Sequence, residues 1–472
     1  MTSTATERER KFDVPEGFVV PDLEEIGPSG LATVELVSTY FDTDDHALLG
    51  WGVTLRRREG ATDEGWQLTL PPAAGRSTGR YEVTLPLDGG ADPPERLVAA
   101  VSGLSFGRPL LPVATIRTTR SLTRLRADDG SVVAEVADDY VHATSYGTEV
   151  TITTWRELEV ELTSDHDELL AVLTRVLRKA GARQSSVPSK LARALGDSVR
   201  SEKRSEGAEA ISVYLCAQVR AIVTGDVLLR QGESAIHDTR VAVRRYRSTL
   251  RTFGPAFGDV QELDDDLAWF GQSLGDVRDH DVLNERLTAA LAELPGELVL
   301  GPVAADLRET LTSRQLKARE ALRVAMDSDR YRRLLAALHA GTEVSSQPSP
   351  KQVRNAARKA RRKAANRLRT ALSVGENSSL HRARKAAKRG RYATELARPL
   401  LGSSAGKKIK RFKRAQDVLG EHHDSVVAAE VLHRLGTRAG TTPGQNGFTY
   451  GLLVARQWHA GAQAVAKAHK LR

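Results

Sequence analysis

The hydrophobic periodicity of this 472-residue chain changes once, near residue 206, and this change constrains the fold more than any other feature. Before it, apolar and polar residues alternate with a period of two, which predicts β-strands. The alternating segments are 6–12, 52–58, 66–70, 80–87 and 155–162. After it, long segments such as 208–230 and 260–291 follow a period of 3.6, which predicts amphipathic helices. We therefore predict an α+β chain with a strand-rich domain over 1–200 and a helical domain over 206–472.

The charge of the chain is divided as unevenly as its periodicity. Residues 1–200 contain 22 Lys and Arg against 31 Asp and Glu, whereas residues 201–472 contain 47 against 29. Within 351–414 there are 22 basic residues and only two acids, Glu376 and Glu395. Such asymmetry indicates two modules with different partners, of which the basic one should bind a polyanion.

Composition and the terminal sequence narrow the class of protein. A single cysteine, Cys216, excludes an internal disulfide framework. The first twelve residues are charged and lack the apolar core of a signal peptide, and no run of about 18 purely apolar residues occurs. We expect a cytoplasmic, soluble protein with no membrane partner.

The helical half contains an internal repeat. The segment from His237 to Arg247 aligns with that from His381 to Arg391, at an offset of 144 residues. A second motif, Leu274-Gly275 followed by Asp279, aligns with Leu419-Gly420 followed by Asp424, at an offset of 145. Two motifs in the same order at nearly one offset predict a duplicated helical unit, over about 207–340 and 351–472.

Several of the predicted strands would display charge on one face. Alternate side chains of a strand share a face, so Glu7, Glu9 and Lys11 point together, as do Glu157, Glu159 and Glu161. The same holds for Arg56 with Arg58 and for Arg80 with Glu82. One interpretation is a set of solvated strand faces. If the apolar faces instead pack outward against helices, the charged faces line an enclosed space. Carboxylates gathered there select Mg²⁺ or Mn²⁺, and Arg and Lys bind phosphate oxygens.

These residues resemble a known family over residues 1–200. Glu7-Arg8-Glu9-Arg10-Lys11 is similar to the ExExK signature of CYTH domains, also called triphosphate tunnel metalloenzymes. Further similar motifs are Tyr40–Thr43, Leu55–Arg58, Trp66–Pro71, Arg80–Glu82, Arg117, Trp155–Leu162 and Ser189-Lys190. The resemblance implies a closed antiparallel β-tunnel that holds a triphosphate.

The resemblance also implies a role for each matching residue. Glu7, Glu9, Glu157 and Glu159 would bind the divalent metal, and Lys11 and Glu159 would be catalytic. The phosphates would be held by Lys11, Arg56, Arg58, Arg80, Arg117 and Lys190. One position departs from the family pattern, because a lysine is expected in the strand around Thr69. Its absence puts the efficiency of catalysis in question.

The repeated helices carry basic stripes. Residues three and four apart share a helix face, and the two stripes are His237, Arg240, Arg244, Arg247 and His381, Arg384, Lys388, Arg391. Arg354, Arg358 and Arg361 form a further stripe. A solvated basic face is the alternative reading. Residues 206–472 resemble the CHAD domain, which implies two related four-helix bundles facing each other across a basic cleft that binds inorganic polyphosphate.

Three functions compete at this stage. The first is a metal-dependent triphosphatase, acting foremost on inorganic tripolyphosphate, with a helical domain that captures polyphosphate. A nucleoside triphosphate, thiamine triphosphate or a cyclase substrate stays open. The second is a non-catalytic protein that binds polyphosphate and associates with its granules. The third, a nucleic-acid-binding protein, is disfavoured because no aromatic residues alternate with the basic stripes.

Overall fold

The computed structural model describes residues 2–3, 8–23, 29–60, 64–71, 81–163, 167–196, 205–341 and 344–471. The chain divides into two compact units. One comprises Met1–Glu202 with Val223–Glu233, and the other comprises Lys203–Ile222 with Ser234–Arg472. The first contains an antiparallel sheet and the second is helical, which confirms the predicted fold class.

The described residues of the first unit form ten strands. They are β1 (Thr2–Ser3), β2 (Arg8–Asp13), β3 (Ser29–Asp42), β4 (Thr54–Glu59), β5 (Gly65–Leu70), β6 (Tyr81–Leu85), β7 (Leu111–Arg126), β8 (Val132–Tyr146), β9 (Val150–Leu162) and β10 (Arg183–Gln184). Their order in the sheet is β1-β6-β5-β4-β3-β7-β8-β9-β2-β10, and every neighbouring pair is antiparallel. The long strands β3, β7 and β8 were not among the strands predicted from periodicity.

Consecutive strands near the N-terminus connect the two ends of this sheet. Strand β1 pairs with β6 at one edge, and β2 pairs with β9 near the other. Only residues 4–7 separate them in sequence, and five extended steps of chain span at most about 18 Å. The sheet therefore closes on itself, as a tunnel requires.

The outward face of the tunnel wall is apolar. Short helices α1 (Ala47–Gly50) and α2 (Glu95–Val101) precede α3 (Asp167–Lys179), which lies against β2, β8 and β9. Leu158 and Val160 of β9 pack with Leu173 and Leu177 of α3 in one buried cluster. Because neighbouring residues of a strand point to opposite faces, Glu157 and Glu159 must point inward.

A one-turn helix, α4 (Lys190–Ala194), packs against the tunnel wall. Ser189 caps it by accepting a hydrogen bond from the backbone N–H of Ala192. Leu191 and Ala194 lie in a buried cluster with Tyr40 and residues of β7 and β8. The Ser189-Lys190 motif thus starts a helix whose first residue is the lysine.

The second unit contains long helices in a repeated order. The described helices from residue 205 onward are α5 (Glu206–Arg230), α6 (Ile236–Thr252), α7 (Gln261–Ala292), α8 (Val303–Met326), α9 (Asp329–Ala340), α10 (Pro350–Val374), α11 (Asn377–Leu396), α12 (Arg398–Leu401), α13 (Ser404–Ala439) and α14 (Phe448–His469). The first repeated motif lies on α6 and α11, and the second lies on α7 and α13. Helix α10 begins with a capping box formed by Ser349 and Gln352.

The two repeats share part of their core. Leu283 and Leu287 of α7 pack with Leu307 of α8, and the same cluster includes Leu432 of α13 and Leu453 of α14. A second cluster joins α10, α11 and α13 within the later repeat. Helices α7 and α13, with 32 and 36 residues, are the longest of the described helices. Both contribute to the shared cluster, so each contacts its own repeat and the other one.

Candidate active site and basic cleft

The strand register brings charged residues from four strands to the inner face of the tunnel. It pairs Lys11 with Glu159, Glu157 with Asp139, and Asp139 with Arg120. Directly paired residues of antiparallel strands lie side by side on the same face. The inner wall formed by β2, β9, β8 and β7 is therefore an ionic surface, in agreement with the second of the two interpretations of the strand alternation.

Three carboxylates converge on this surface. One oxygen from each of Asp139, Glu157 and Glu159 lies within 4.8 Å of the others. Asp139 is fully buried and Glu157 is 5% exposed. The ammonium group of Lys190 lies 2.9 Å from Asp139 Oδ2, 2.7 Å from Glu157 Oε1 and 2.7 Å from Glu159 Oε1. It sits at the point that a cation shared by the three carboxylates would occupy.

Two further basic side chains compensate the negative charge of these carboxylates. Arg120 donates two parallel hydrogen bonds to Asp139, at 2.8 and 2.7 Å, and a third to Glu159 at 2.7 Å. Lys11 Nζ lies 2.8 Å from Glu9 Oε1 and 2.5 Å from Glu159 Oε1. Glu159 thus contacts three basic side chains, as many as the three carboxylates that Lys190 contacts.

These contacts shift the titration of the groups that make them. Burial favours the protonated form of Glu159, but Lys11, Lys190 and Arg120 outweigh it and hold the pKa of Glu159 well below its usual range. Burial opposes the charge on Lys190 as well, yet Glu159, Asp139 and Glu157 raise the pKa of that lysine. Glu159 and Lys190 are therefore both charged near neutral pH.

The neighbouring strands β4 and β5 add a polar and basic wall. Arg56 donates hydrogen bonds to Gln67 Oε1 at 2.7 Å and to the Tyr40 hydroxyl at 3.2 Å. Although burial raises it, the pKa of Tyr40 is lowered overall by Arg56, Arg58 and Lys190. Lys190 therefore acts electrostatically on both the acidic cluster and the Arg56 wall.

The tunnel residues predicted from the sequence divide into three groups. Glu9, Lys11, Arg56, Arg58, Glu157, Glu159 and Lys190 lie on the inner wall or against it. Glu7 and Arg80 lie outside the described residues. Arg117 lies on the opposite, exposed face, since it pairs with His142 whereas inward Arg120 pairs with Asp139.

Two residues of the cluster were missed by the sequence analysis. Arg120 is an odd number of positions from Arg117, so only one of the two can face inward. Asp139 adjoins Asp138, whose carboxylate pairs with Arg156 instead. Val136 shares a strand face with Asp138, and Val141 shares the other face with Asp139. Because both faces carry a valine, the sequence does not tell which aspartate points inward. Thr69, where a lysine was expected, pairs with Thr54 and Glu82 on the inner face.

In the helical unit, each repeat holds an arginine against a glycine and an aspartate. Arg240 Nη1 lies 3.0 Å from Asp279 Oδ1, and a Cβ atom at Gly275 would lie 3.1 Å from Arg240 Nη2. In the second repeat Arg384 Nη1 lies 3.7 Å from Asp424, and a Cβ atom at Gly420 would lie 3.2 Å from Arg384 Nη2. The Leu-Gly motif therefore gives the guanidinium room to lie against the next helix.

The stripes of the two repeats meet each other. Burial, followed by Arg384, Arg244 and Arg240, lowers the pKa of Lys388 to about 6, and only Asp424 opposes them. Burial also lowers the pKa of Arg244, with Arg240 and Arg384 acting in the same direction. We refer to Arg240, Arg244, Arg384 and Lys388 as the cleft cluster. Its positive charge exceeds the acidic charge beside it.

The remaining stripe residues have other surroundings. Arg247 pairs with Asp264 at 3.1 Å, and Arg391 lies 3.0 Å from Glu395, so both are neutralised by carboxylates. The His381 ring lies 4.7 Å from the His423 ring, and burial, followed by Lys385, lowers the pKa of His381 to about 4. Burial, followed by Arg278, lowers the pKa of His237. His423 is half-buried beside His381 in this pair.

Comparison with known proteins defines the class of each unit. The CYTH domain model matches residues 5–195, and the CHAD domain model matches residues 213–433. CYTH domains belong to a family of metal-dependent triphosphatases and cyclases. The chain belongs to the family of proteins in which a CYTH domain is followed by a CHAD domain.

Relatives of the whole chain are known. Two uncharacterized proteins, from two strains of Mycobacterium tuberculosis, are each 34% identical over 483 aligned residues, covering 96% of this chain and 92% of theirs. Among solved structures, PptA from Streptomyces chartreusis is 22% identical with a TM-score of 0.49, covering 57% of this chain and 99% of that one. The CHAD domain from the plant Ricinus communis is 27% identical with a TM-score of 0.46, covering 58% and 94%.

One described helix, α5, is long and apolar enough to cross a membrane when length and composition alone are considered. Its most apolar window is 56% buried inside the protein. The core helix of a soluble protein meets the same criterion, so this is weak support for a membrane span.

The acidic cluster generates a prediction about stability. Asp139→Asn removes the charge that Arg120 and Lys190 share, and loss of one partner of a buried ion pair should lower the free energy of unfolding by about 3 kcal/mol. Glu135→Gln is the matched control, because Glu135 pairs with the half-exposed Arg124 and should cost less than about 1 kcal/mol. Urea denaturation measures the free energy of unfolding of both variants. Hydrogen exchange of β8 and β9 shows whether the destabilisation lies in these strands. Equal effects would show that Asp139 does not anchor the cluster.

Proposed function

We propose that the CYTH unit hydrolyses a phosphoanhydride bond of a triphosphate with the help of a divalent cation, and that the CHAD unit binds inorganic polyphosphate. Inorganic tripolyphosphate is the first candidate substrate. The observation that carries the hydrolytic part is the convergence of Asp139, Glu157 and Glu159 beside basic residues on one enclosed surface.

The donor set of this cluster fits a hard divalent cation. Three carboxylates offer oxygen atoms within 4.8 Å of one another. Glu9 lies next to them, because Lys11 forms ion pairs with both Glu9 and Glu159. Oxygen ligands of this kind suit Mg²⁺ or Mn²⁺. When bound, such a cation offsets negative charge on phosphate oxygens. Glu159, Glu157, Asp139 and Glu9, with the predicted Glu7, would hold it.

The basic residues of the tunnel would bind and orient the phosphates. Arg56 and Arg58 lie on the inner face of β4, and a guanidinium grips two phosphate oxygens at once. Arg120 takes the place proposed from the sequence for Arg117. Lys190 and Lys11 each contact Glu159, so both can bridge between the carboxylates and a phosphate. Holding the chain of phosphates in line is most of what such catalysis asks of the protein.

Phosphate release from tripolyphosphate by the full chain, with and without Mg²⁺ or Mn²⁺, tests this function. Glu159→Gln keeps the volume of the side chain but removes a charge that three cations surround, so metal-dependent release should fall at least a hundredfold. Glu135→Gln, on the same face but paired with Arg124, should retain activity near that of the wild type. Normal turnover in Glu159→Gln would remove Glu159 from the site.

A non-catalytic role is the second candidate. Thr69 stands on the inner face where the family pattern has a lysine, so one phosphate contact is missing. In this case the tunnel binds triphosphate without turnover, and the CHAD unit attaches the chain to polyphosphate granules. Metal-dependent binding of tripolyphosphate with no phosphate release would favour this candidate over the first.

The cleft cluster supports the polyphosphate part of the proposal. Two arginines from α6 face an arginine and a lysine from α11, and burial, followed by repulsion from the neighbouring arginines, lowers the pKa of Lys388 and of Arg244. A bound polyanion would relieve this repulsion along its length. The nearby aspartates, Asp279 and Asp424, each hold an arginine and leave the cluster with excess positive charge.

Lys388 makes this binding dependent on pH. Its pKa of about 6 means that it is mostly neutral at pH 8 in the free protein, whereas a polyanion would favour its charged form. Binding of polyphosphate should therefore take up about one proton at pH 8, and affinity should fall as pH rises above about 6. Calorimetry in two buffers of different ionisation enthalpy measures the uptake.

The matched control for this experiment is Lys385→Met, which removes the same charge from an exposed position of α11. It should keep the proton uptake, whereas Lys388→Met should abolish it. Proton uptake that persists in Lys388→Met would exclude Lys388 as its source.

A further inference from the structure

A second basic surface of the helical unit lies on residues other than those of the cleft cluster. It is a groove of about 470 Å³ between α10 and α13, closed at one side by Leu471. Grooves of this volume are in the range that holds small organic ligands. Its lining residues from α10 are Arg358, Arg361, Arg362, Ala365, Leu368 and Arg369, and those from α13 are Lys408, Arg411, Phe412 and Ala415.

The rim of this groove is entirely cationic. Four arginines of α10 and two basic residues of α13 line it, and neither 350–374 nor 404–416 contains an acid. Within the described part of the chain none of the six forms an ion pair. Arg358 and Lys408 have only neutral acceptors, Asn355 and Ser404. Like charges held together without acids favour an anionic ligand.

One rim residue has an unmet requirement for an acceptor. Arg361 Nη1 is buried and has no hydrogen-bond partner among the described residues. Burial, and then the neighbouring Arg358, lower the pKa of Arg361. A buried donor without an acceptor costs free energy. A phosphate oxygen in the groove would supply the acceptor and the compensating charge.

The floor of the groove is apolar, unlike its rim. Leu368, Phe412 and Ala415 are buried residues of the core cluster shared by α10, α11 and α13, and Leu471 packs against them. An inorganic phosphate chain would gain nothing from such a floor. A ligand that uses both rim and floor carries an apolar segment beside its phosphate, and each methylene it buries contributes up to about 0.8 kcal/mol.

We propose that the groove between α10 and α13 binds an anionic amphiphile, in which a phosphate group is joined to an apolar chain. The ligand is either a lipid in a membrane surface or a soluble phosphorylated amphiphile. The inference is independent of the function proposed above, because it involves no residue of the tunnel or of the cleft cluster.

Calorimetry on the full chain tests this with decyl phosphate, kept below its micellar concentration, and with inorganic phosphate. Decyl phosphate should bind at least about tenfold more tightly than inorganic phosphate, because only it reaches the apolar floor. Arg361→Met, which keeps an apolar stem, should weaken decyl phosphate binding about tenfold, and so should Arg362→Met at an exposed position. Arg354→Met, on the same helix but outside the groove lining, should bind like the wild type.

Sedimentation with phosphatidylglycerol vesicles distinguishes the two sources. Co-sedimentation that is lost in Arg361→Met indicates a membrane lipid, and binding of decyl phosphate without co-sedimentation indicates a soluble ligand. The inference is overturned if neither probe binds, if inorganic phosphate binds as tightly as decyl phosphate, or if Arg354→Met is as impaired as Arg361→Met.

Discussion

The ionic contact of Lys190 with Asp139, Glu157 and Glu159 is the interaction on which the tunnel depends. Three carboxylates on one enclosed surface repel each other, and a closed sheet with such a lining is unstable unless cations lie among them. The fold supplies these cations from two directions. Arg120 comes from the neighbouring strand β7, and Lys190 is the first residue of a helix capped by Ser189 and anchored by Leu191.

This arrangement links the architecture of the unit to its chemistry. The apolar outer face of β9 packs under α3, which requires Glu157 and Glu159 to point inward. Arg193, one turn after Lys190, pairs with Asp13 and stacks over Trp155, so α4 is fixed to the strands that carry the acids. The position of the acidic cluster, which could hold a metal ion, is thus a consequence of how the strands and α4 pack.

The helical unit has an excess of positive charge, whereas the tunnel has an excess of carboxylates. Each repeat gives one arginine an aspartate partner and a glycine surface, and this explains why Leu-Gly and Asp recur at nearly the same offset as the histidine-led stripe. The positive charge is not fully compensated where α6 and α11 face each other. There, burial and the neighbouring arginines lower the pKa of Lys388. Under the proposed function, a bound polyanion would compensate this remaining positive charge.

The sequence predicted more of the architecture than of the site. Alternation was sufficient to place Glu9 with Lys11 and Glu157 with Glu159 on one face of each strand, and the family resemblance brought the two faces together. Repetition was sufficient to find the paired stripes. Alternation did not identify β3, β7 and β8, so the register of β7 could not be predicted. Arg117 was therefore predicted as the phosphate ligand, whereas Arg120 is the arginine that points inward. Arg247 follows the stripe in sequence, but its partner Asp264 lies on another helix. Residues such as these are determined by tertiary contacts, which local periodicity does not contain.

Binding of Mn²⁺ to the full chain, measured by calorimetry in Lys190→Met and Arg124→Met, tests the account most directly. If a divalent cation and the Lys190 ammonium share one position among the three carboxylates, Lys190→Met should bind Mn²⁺ at least about tenfold more tightly than the wild type. Arg124→Met removes the same charge at the more distant Glu135 and should change the affinity far less. Equal affinities in Lys190→Met and the wild type would contradict the claim that a divalent cation and the Lys190 ammonium share one position among these carboxylates.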